Sequence, residues 1–173
     1  MKRSELIPAP GFFSRYINLV DDVELNDAFE ISLQQIRKLD VELLKKIGMK
    51  TYAAGKWTVA EILQHIADFE RILSYRALLF ARQEKTIQPG FDENLLAQYS
   101  KADQHPPEQL IEELIAVRHS TIAMYNSFDK ETLLLTGINW KYEISVAGMG
   151  FNIVGHQAHH LNLIKTHYEQ LAD

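Results

Sequence analysis

The sequence predicts an all-α protein, a four-helix bundle, on three observations. Four stretches carry the three- and four-residue apolar spacing of amphipathic helices. The one segment that alternates apolar and polar residues has no obvious partner strand. The connections have lengths that a bundle can use: the first spans about ten residues and the second roughly twenty, long enough to cross a bundle end to end. The expected topology is up-down-down-up, with a long crossover between helices 2 and 3. A chain of 173 residues fits a single domain over residues 1–173 with one hydrophobic core.

The first helix is expected from about Asn26 to Ile47, with Phe29, Leu33, Ile36, Leu39, Leu43 and Ile47 on one stripe. Gly48 is its C-terminal stop, and Lys45 and Lys46 suit the negative end of the helix dipole. Its short link to the second helix favours antiparallel neighbours. The second helix has the clearest start: Thr58-Val59-Ala60-Glu61 reads as a capping box, with Trp57 placed to staple onto Ile62. Val59, Ile62, Ile66, Phe69, Leu73 and Phe80 form its inner stripe, as far as about Arg82. A polar stretch from Gln83 to His105 follows, with Pro89-Gly90 as a turn signal. The third helix begins at Pro106-Pro107, where proline fits a first turn, and presents Leu110, Leu114, Val117 and Tyr125. Ile138 to Val146 alternates strictly and reads as an extended loop before helix 4. The fourth helix runs from Val146 to about Leu171. Met149, Ile153, His156, His160, Leu163 and His167 make a heptad seam along it. Gly148, Gly150 and Gly155 each weaken its first half by roughly 1 kcal/mol relative to Ala, which a close contact with another element would explain.

The composition excludes several kinds of chemistry. There is no cysteine, so disulfides, thiolate metal sites and cysteine nucleophiles are ruled out. The formal net charge of −5, without a long basic run, argues against nucleic-acid binding. No apolar stretch approaches a membrane span. Met1-Lys2-Arg3-Ser4-Glu5 leads to Pro8 and Pro10 without a signal-type apolar run, so a cytoplasmic location is expected.

Seven histidines then become the focus. On the helical wheel His65 falls between Phe69 and Ile72 and points inward. His156 and His160 are one turn apart and share an inward arc with Ile153 and Leu163. Two imidazoles at i and i+4 can bind one metal ion, and a third from a partner helix would leave a coordination position open. The same spacing also fits core histidines satisfied by hydrogen bonds, since an unsatisfied buried ring costs about 1–3 kcal/mol. His159 falls on the edge of the inner arc. His167 is ~10 Å along the axis from His160 and cannot share its ion. Glu70 and Arg71 read as surface residues. Asp68, one turn from His65, is a candidate for orienting a ligand or accepting a proton. Arg76 is inward but ~16 Å from His65 along the helix, which suits a buried ion pair or the far end of a substrate. Trp140 and Tyr142 could line the mouth of a site or cover the core.

The segments Trp57-Thr58-Val59-Ala60-Glu61, His65-Ile66-Ala67-Asp68-Phe69-Glu70-Arg71 and Tyr75-Arg76-Ala77-Leu78 resemble the second helix of the DinB superfamily. Gly155-His156-Gln157-Ala158-His159-His160 resembles its fourth-helix signature. Tyr16-Ile17-Asn18-Leu19-Val20 and Pro89-Gly90-Phe91 are similar to its members as well. The resemblance implies an up-down-down-up bundle, and a divalent metal held by His65, His156 and His160. Zinc or nickel is the first expectation, with iron, manganese or cobalt as alternatives. It also implies a small-molecule substrate and a homodimer. Branches of the superfamily use low-molecular-weight thiols in S-transfer or isomerisation, and others are named as metal-dependent hydrolases. The expected function is therefore a metal-dependent S-transferase or hydrolase. The alternative is a non-catalytic ligand-binding or stress-response interaction module with a structural or vestigial metal site.

Overall fold

The computed structural model describes residues 1–8 and 11–172. Its helices are α1 (Ser14–Ile17), α2 (Leu25–Arg37), α3 (Val41–Ile47), α4 (Val59–Ala81), α5 (Glu93–Ser100), α6 (Pro107–Tyr125), α7 (Lys130–Leu134) and α8 (Val146–Leu163). The strands β1 (Thr136–Asn139) and β2 (Tyr142–Ser145) pair antiparallel. The four long helices pack in the cyclic order α2, α6, α4, α8.

Side-chain pairs give the directions. Gln64 meets Glu113, Glu70 meets Arg118 and Ser74 meets Thr121, so α4 and α6 run parallel. His65 meets His156 and the Tyr168 hydroxyl reaches the Trp57 carbonyl, so α8 opposes α4. Phe29 packs on Tyr125 while Arg37 meets His119, so α2 opposes α6. The result is up-down-down-up. The short connection leads from α3 into α4, yet α2 and α4 lie across the bundle from each other rather than side by side. The roughly twenty-residue connection is what allows α4 and α6 to be parallel neighbours.

The capping box of α4 forms as its sequence predicts. Glu61 N–H donates to Thr58 Oγ1 at 3.1 Å, and Thr58 N–H donates to the Glu61 carboxylate at 2.8 Å. The predicted stripe residues Val59, Ile62, Ile66, Leu73 and Phe80 are buried. Helix α8 is buried on every side from Val146 to Gln157, which makes it the central helix. Its glycines permit close approach. A Cβ on Gly155 would sit 2.1 Å from the Tyr16 carbonyl oxygen, so α1 can lie directly on α8. Gly155→Ala is expected to displace α1 and cost about 1–3 kcal/mol, read as a lower midpoint in urea unfolding.

Several expectations need correction. The first helix is broken: Lys38 and Leu39 tighten into three-residue bonds to Gln35 and Ile36. Asp40 then caps α3 by accepting from Leu43 N–H at 3.0 Å. The polar stretch from Gln83 to His105 contains α5, whose N-cap Asp92 accepts from Asn94 and Leu95 N–H. The segment from Ile138 is most of a β-hairpin rather than an extended loop: Thr136–Asn139 pairs with Tyr142–Ser145 across a Trp140-Lys141 turn. Gln88 adds a bridge on the other side of β1. Beyond α8, residues Ile164–Tyr168 form a π-turn. Its extra residue rotates the chain, so Ile164 and Tyr168 face the core and His167 leaves the seam for the surface, stacked on Tyr52. No helix among the described residues is long and apolar enough to cross a membrane.

Candidate metal centre

Helices α4 and α8 bring three histidines together where the two apolar clusters of the core meet. Both helices are pinned at their N-termini, α4 by its capping box and α8 by Ser145, whose hydroxyl accepts from Gly148 N–H at 3.1 Å. This sets the rotation of each helix and therefore the direction of its imidazoles. His65, His156 and His160 are 4%, 1% and 8% exposed. His156 Nε2 lies 3.0 Å from His65 Nε2 and 3.1 Å from His160 Nε2.

Aromatic rings hold the histidines in place. Phe69 stacks on His156 with centroids 3.6 Å apart and planes 12° apart. Trp57 packs on His65 at 4.6 Å, and Tyr16 meets His156 edge-on at 5.1 Å. Burial disfavours the charged form of every ring in the cluster. It lowers the pKa of His65 to about 4 and that of His160 to about 3, and holds His156 well below the ordinary value. At neutral pH all three are therefore neutral, which is the ligating form.

The donor set fits a divalent cation. A neutral imidazole has one N–H and one lone pair, so three converging Nε2 atoms cannot all be satisfied by donating to one another. A single cation satisfies three lone pairs at once. Separations of 3.0 and 3.1 Å suit nitrogens that each lie about 2.0–2.1 Å from one ion. No carboxylate joins the cluster among the described residues. His160 Nδ1 is buried without a hydrogen-bond partner. Its ring is oriented by packing instead, between Trp57 and His159.

Two cavities approach the cluster. The larger, about 680 Å³, is bounded on the histidine side by Phe69 and Tyr16 and reaches outward to Arg76, Phe91 and Trp140. The smaller, about 210 Å³, is lined by Trp57, Asn94 and His160 itself.

The other sequence-predicted residues divide. Asp68 is not brought to the histidines: its carboxylate accepts from Gln64 and Arg71 on the side facing α6, where Arg71 also pairs with Glu113. Glu70 is not a surface residue. It is 1% exposed and pairs with the fully buried Arg118. Arg76 is buried at the far end of the larger cavity. His159 is exposed at the rim, its ring 5.4 Å from that of Tyr16. Trp140 lines the larger cavity, while Tyr142 stacks on Phe12 beside it. The aromatic wall of Phe69, Trp57 and Tyr16 was not assigned from sequence. Phe69 was legible, since it sits one turn from His65 on the same face.

Comparison with known proteins agrees with this geometry. The model of the DinB superfamily matches residues 15–164. A protein of Oceanobacillus iheyensis, named a "putative metal-dependent hydrolase", is 28% identical over 117 residues, covering 67% of this chain and 67% of that protein. Among solved structures, YfiT from Bacillus subtilis superposes with a TM-score of 0.66 at 17% identity, over 92% of this chain and 85% of that one. Its structure was described as that of a "probable metal-dependent hydrolase with an unusual four-helix bundle topology". At this identity the likeness is one of fold. With the family model spanning all four long helices, this chain belongs to the DinB superfamily.

Proposed function

We propose that this protein is a metal-dependent enzyme acting on a small molecule, with His65, His156 and His160 as the protein ligands of a divalent ion. The observation that carries the reading is the convergence of three buried, neutral imidazole nitrogens with no carboxylate among them. Three protein ligands leave a position for an exogenous group, as catalytic sites require and closed structural sites do not. The chemistry supplied by such an ion when bound is Lewis-acid activation, which lowers the pKa of a ligating thiol or water.

The chain's own residues favour S-transfer over hydrolysis. One cavity is lined by His160 itself and a larger one is parted from His156 by Phe69 and Tyr16, which offers separate places for two substrates beside one centre. With no cysteine in the chain, the sulfur nucleophile would arrive with a low-molecular-weight thiol. Phe69, Trp57 and Tyr16 exclude water around the ligands and fix their rings. His159, though exposed, is held toward its neutral form by partial desolvation and by Arg15, and offers a proton acceptor at the rim. A homodimer and a cytoplasmic location complete the proposal.

A transferase screen of untagged protein with several small thiols tests the reading. Turnover is expected to require both metal and thiol. Turnover with metal alone would assign a hydrolase, and binding without turnover would assign an interaction module. Chelation followed by thermal melting separates a catalytic from a structural ion, since only a structural one would unfold the chain on removal.

The depressed histidine pKa values also set a pH dependence. In the metal-free protein the unfolded chain binds more protons than the folded one between pH 6.5 and about pH 4. Folding stability is therefore expected to be flat above pH 7 and to fall as pH drops through that window. His65→Phe should reduce the slope, and an unchanged slope in urea titrations would contradict the assignment.

A further inference from the structure

Two arginines of the bundle are buried, and their surroundings differ. Arg118 is 0% exposed and fully countered: Nε and Nη2 donate to the two Glu70 carboxylate oxygens at 2.8 Å each, and Nη1 donates to Ser32. Arg76 is 7% exposed and has no carboxylate among its hydrogen-bond partners in the described residues. Its Nη1 donates to Asn139 Oδ1 at 2.5 Å and its Nη2 to the Pro89 carbonyl at 2.7 Å, both neutral acceptors. The guanidinium lies 5.3 Å from the centroid of the Phe91 ring. Burial lowers its pKa with no carboxylate opposing the shift. A guanidinium has five N–H donors, and a buried charge without a counter-ion is costly. The cavity it lines is where a counter-ion could enter.

The rest of that cavity is consistent with an anionic guest. Its other cation, Arg15, lies over the rings of Phe12 and Tyr16 at 4.8 and 4.6 Å. Of its two acids, Asp92 is engaged as the N-cap of α5, and Glu93 is exposed. Neither forms an ion pair with Arg76. Phe69, Phe91 and Trp140 give apolar walls. Asn152, one turn before His156 on α8, is 1% exposed, lines the cavity and has an Oδ1 with no hydrogen-bond partner. Along the bundle the order is histidines, then Phe69 and Asn152, then Arg76, about 16 Å from His65 by helix rise.

We propose that the larger cavity binds a small organic carboxylate with an apolar body, its charge paired with Arg76 and a polar group midway on Asn152. The carboxylate belongs to the substrate or to the thiol cosubstrate. That assignment to the reaction rests on the metal-centre reading, whereas the anion site does not.

The test uses chelator-treated full-length protein, so the histidines contribute no metal-mediated binding. Calorimetric titration compares 4-phenylbutyrate with 4-phenylbutyramide, which differ in charge but hardly in shape. The parent is expected to bind the carboxylate at least tenfold more tightly than the amide. Arg76→Met should abolish that preference, Arg76→Lys should keep part of it, and Arg15→Met should leave most of it. Equal affinities in the parent, or no saturable binding of either, would overturn the proposal. So would a preference that survives Arg76→Met or disappears only in Arg15→Met. If Arg76→Met does not fold, the parent comparison and Arg76→Lys still decide. A failed metal analysis would sink the metal centre and leave this result standing.

Discussion

His156→Ala is expected to reduce bound divalent metal from one equivalent per chain to background. His156 is the vertex of the cluster, with Nε2 within 3.1 Å of both partner nitrogens, and it is 1% exposed. Losing it leaves two rings on different helices with no third ligand to close the set. Changes to groups that merely orient ligands already cost about 10–100-fold in affinity, so loss of a ligand should cost at least roughly 100-fold. His65→Ala and His160→Ala should behave alike. His119→Ala should not, because that ring meets Arg37 on the α2–α6 face. Thermal melting gives a second readout. At a free metal concentration of 100 Kd, binding adds about 2.7 kcal/mol, which for a chain of this size is roughly 5–11 °C. The parent should show this rise and His156→Ala should not, with circular dichroism confirming that the variant is folded.

Glu70→Ala should produce a large loss of stability away from the histidines. Glu70 is 1% exposed and Arg118 0% exposed, and they form a two-pronged ion pair between α4 and α6. Removing the carboxylate strands a guanidinium in the core, which typically costs about 3–5 kcal/mol. At about 2–4 °C per kcal/mol, the midpoint should fall by roughly 6–20 °C. Replacing both partners, as in Glu70→Met with Arg118→Leu, should recover most of the loss, since the penalty comes from the unpaired charge. A midpoint within 2 °C of the parent in Glu70→Ala would show that water reaches the pair.

These two sites show what the sequence makes legible. The histidines could be read because helical geometry is local: i, i+4 spacing fixes the His156–His160 pair, and the capping box at Thr58 fixes the register of α4. The bundle topology followed from connection length. Glu70 was misread because its partner lies 48 residues away. A carboxylate followed by Arg71 looks like a solvated pair until α6 delivers Arg118. The hairpin was missed for a similar reason. Trp140-Lys141 has none of the Gly or Asn that usually marks a two-residue turn, and Trp140 adopts φ +59° there. His167 was misplaced because one π-turn shifts everything after it by a residue, and no local pattern announces that turn. Helix spacing leaves Arg76 between a buried ion pair and the far end of a substrate, and only its neutral partners among the described residues, Asn139 and the Pro89 carbonyl, separate the two.

The most direct test of the three-histidine centre is X-ray absorption spectroscopy of untagged, zinc-loaded protein, with no affinity tag to supply competing imidazoles. Three imidazole nitrogens are expected near 2.0–2.1 Å, completed by oxygen or nitrogen from solvent or buffer, with no sulfur. The imidazole signature should disappear in His156→Ala. A parent protein that retains no stoichiometric zinc, or whose zinc lacks that signature, would contradict it.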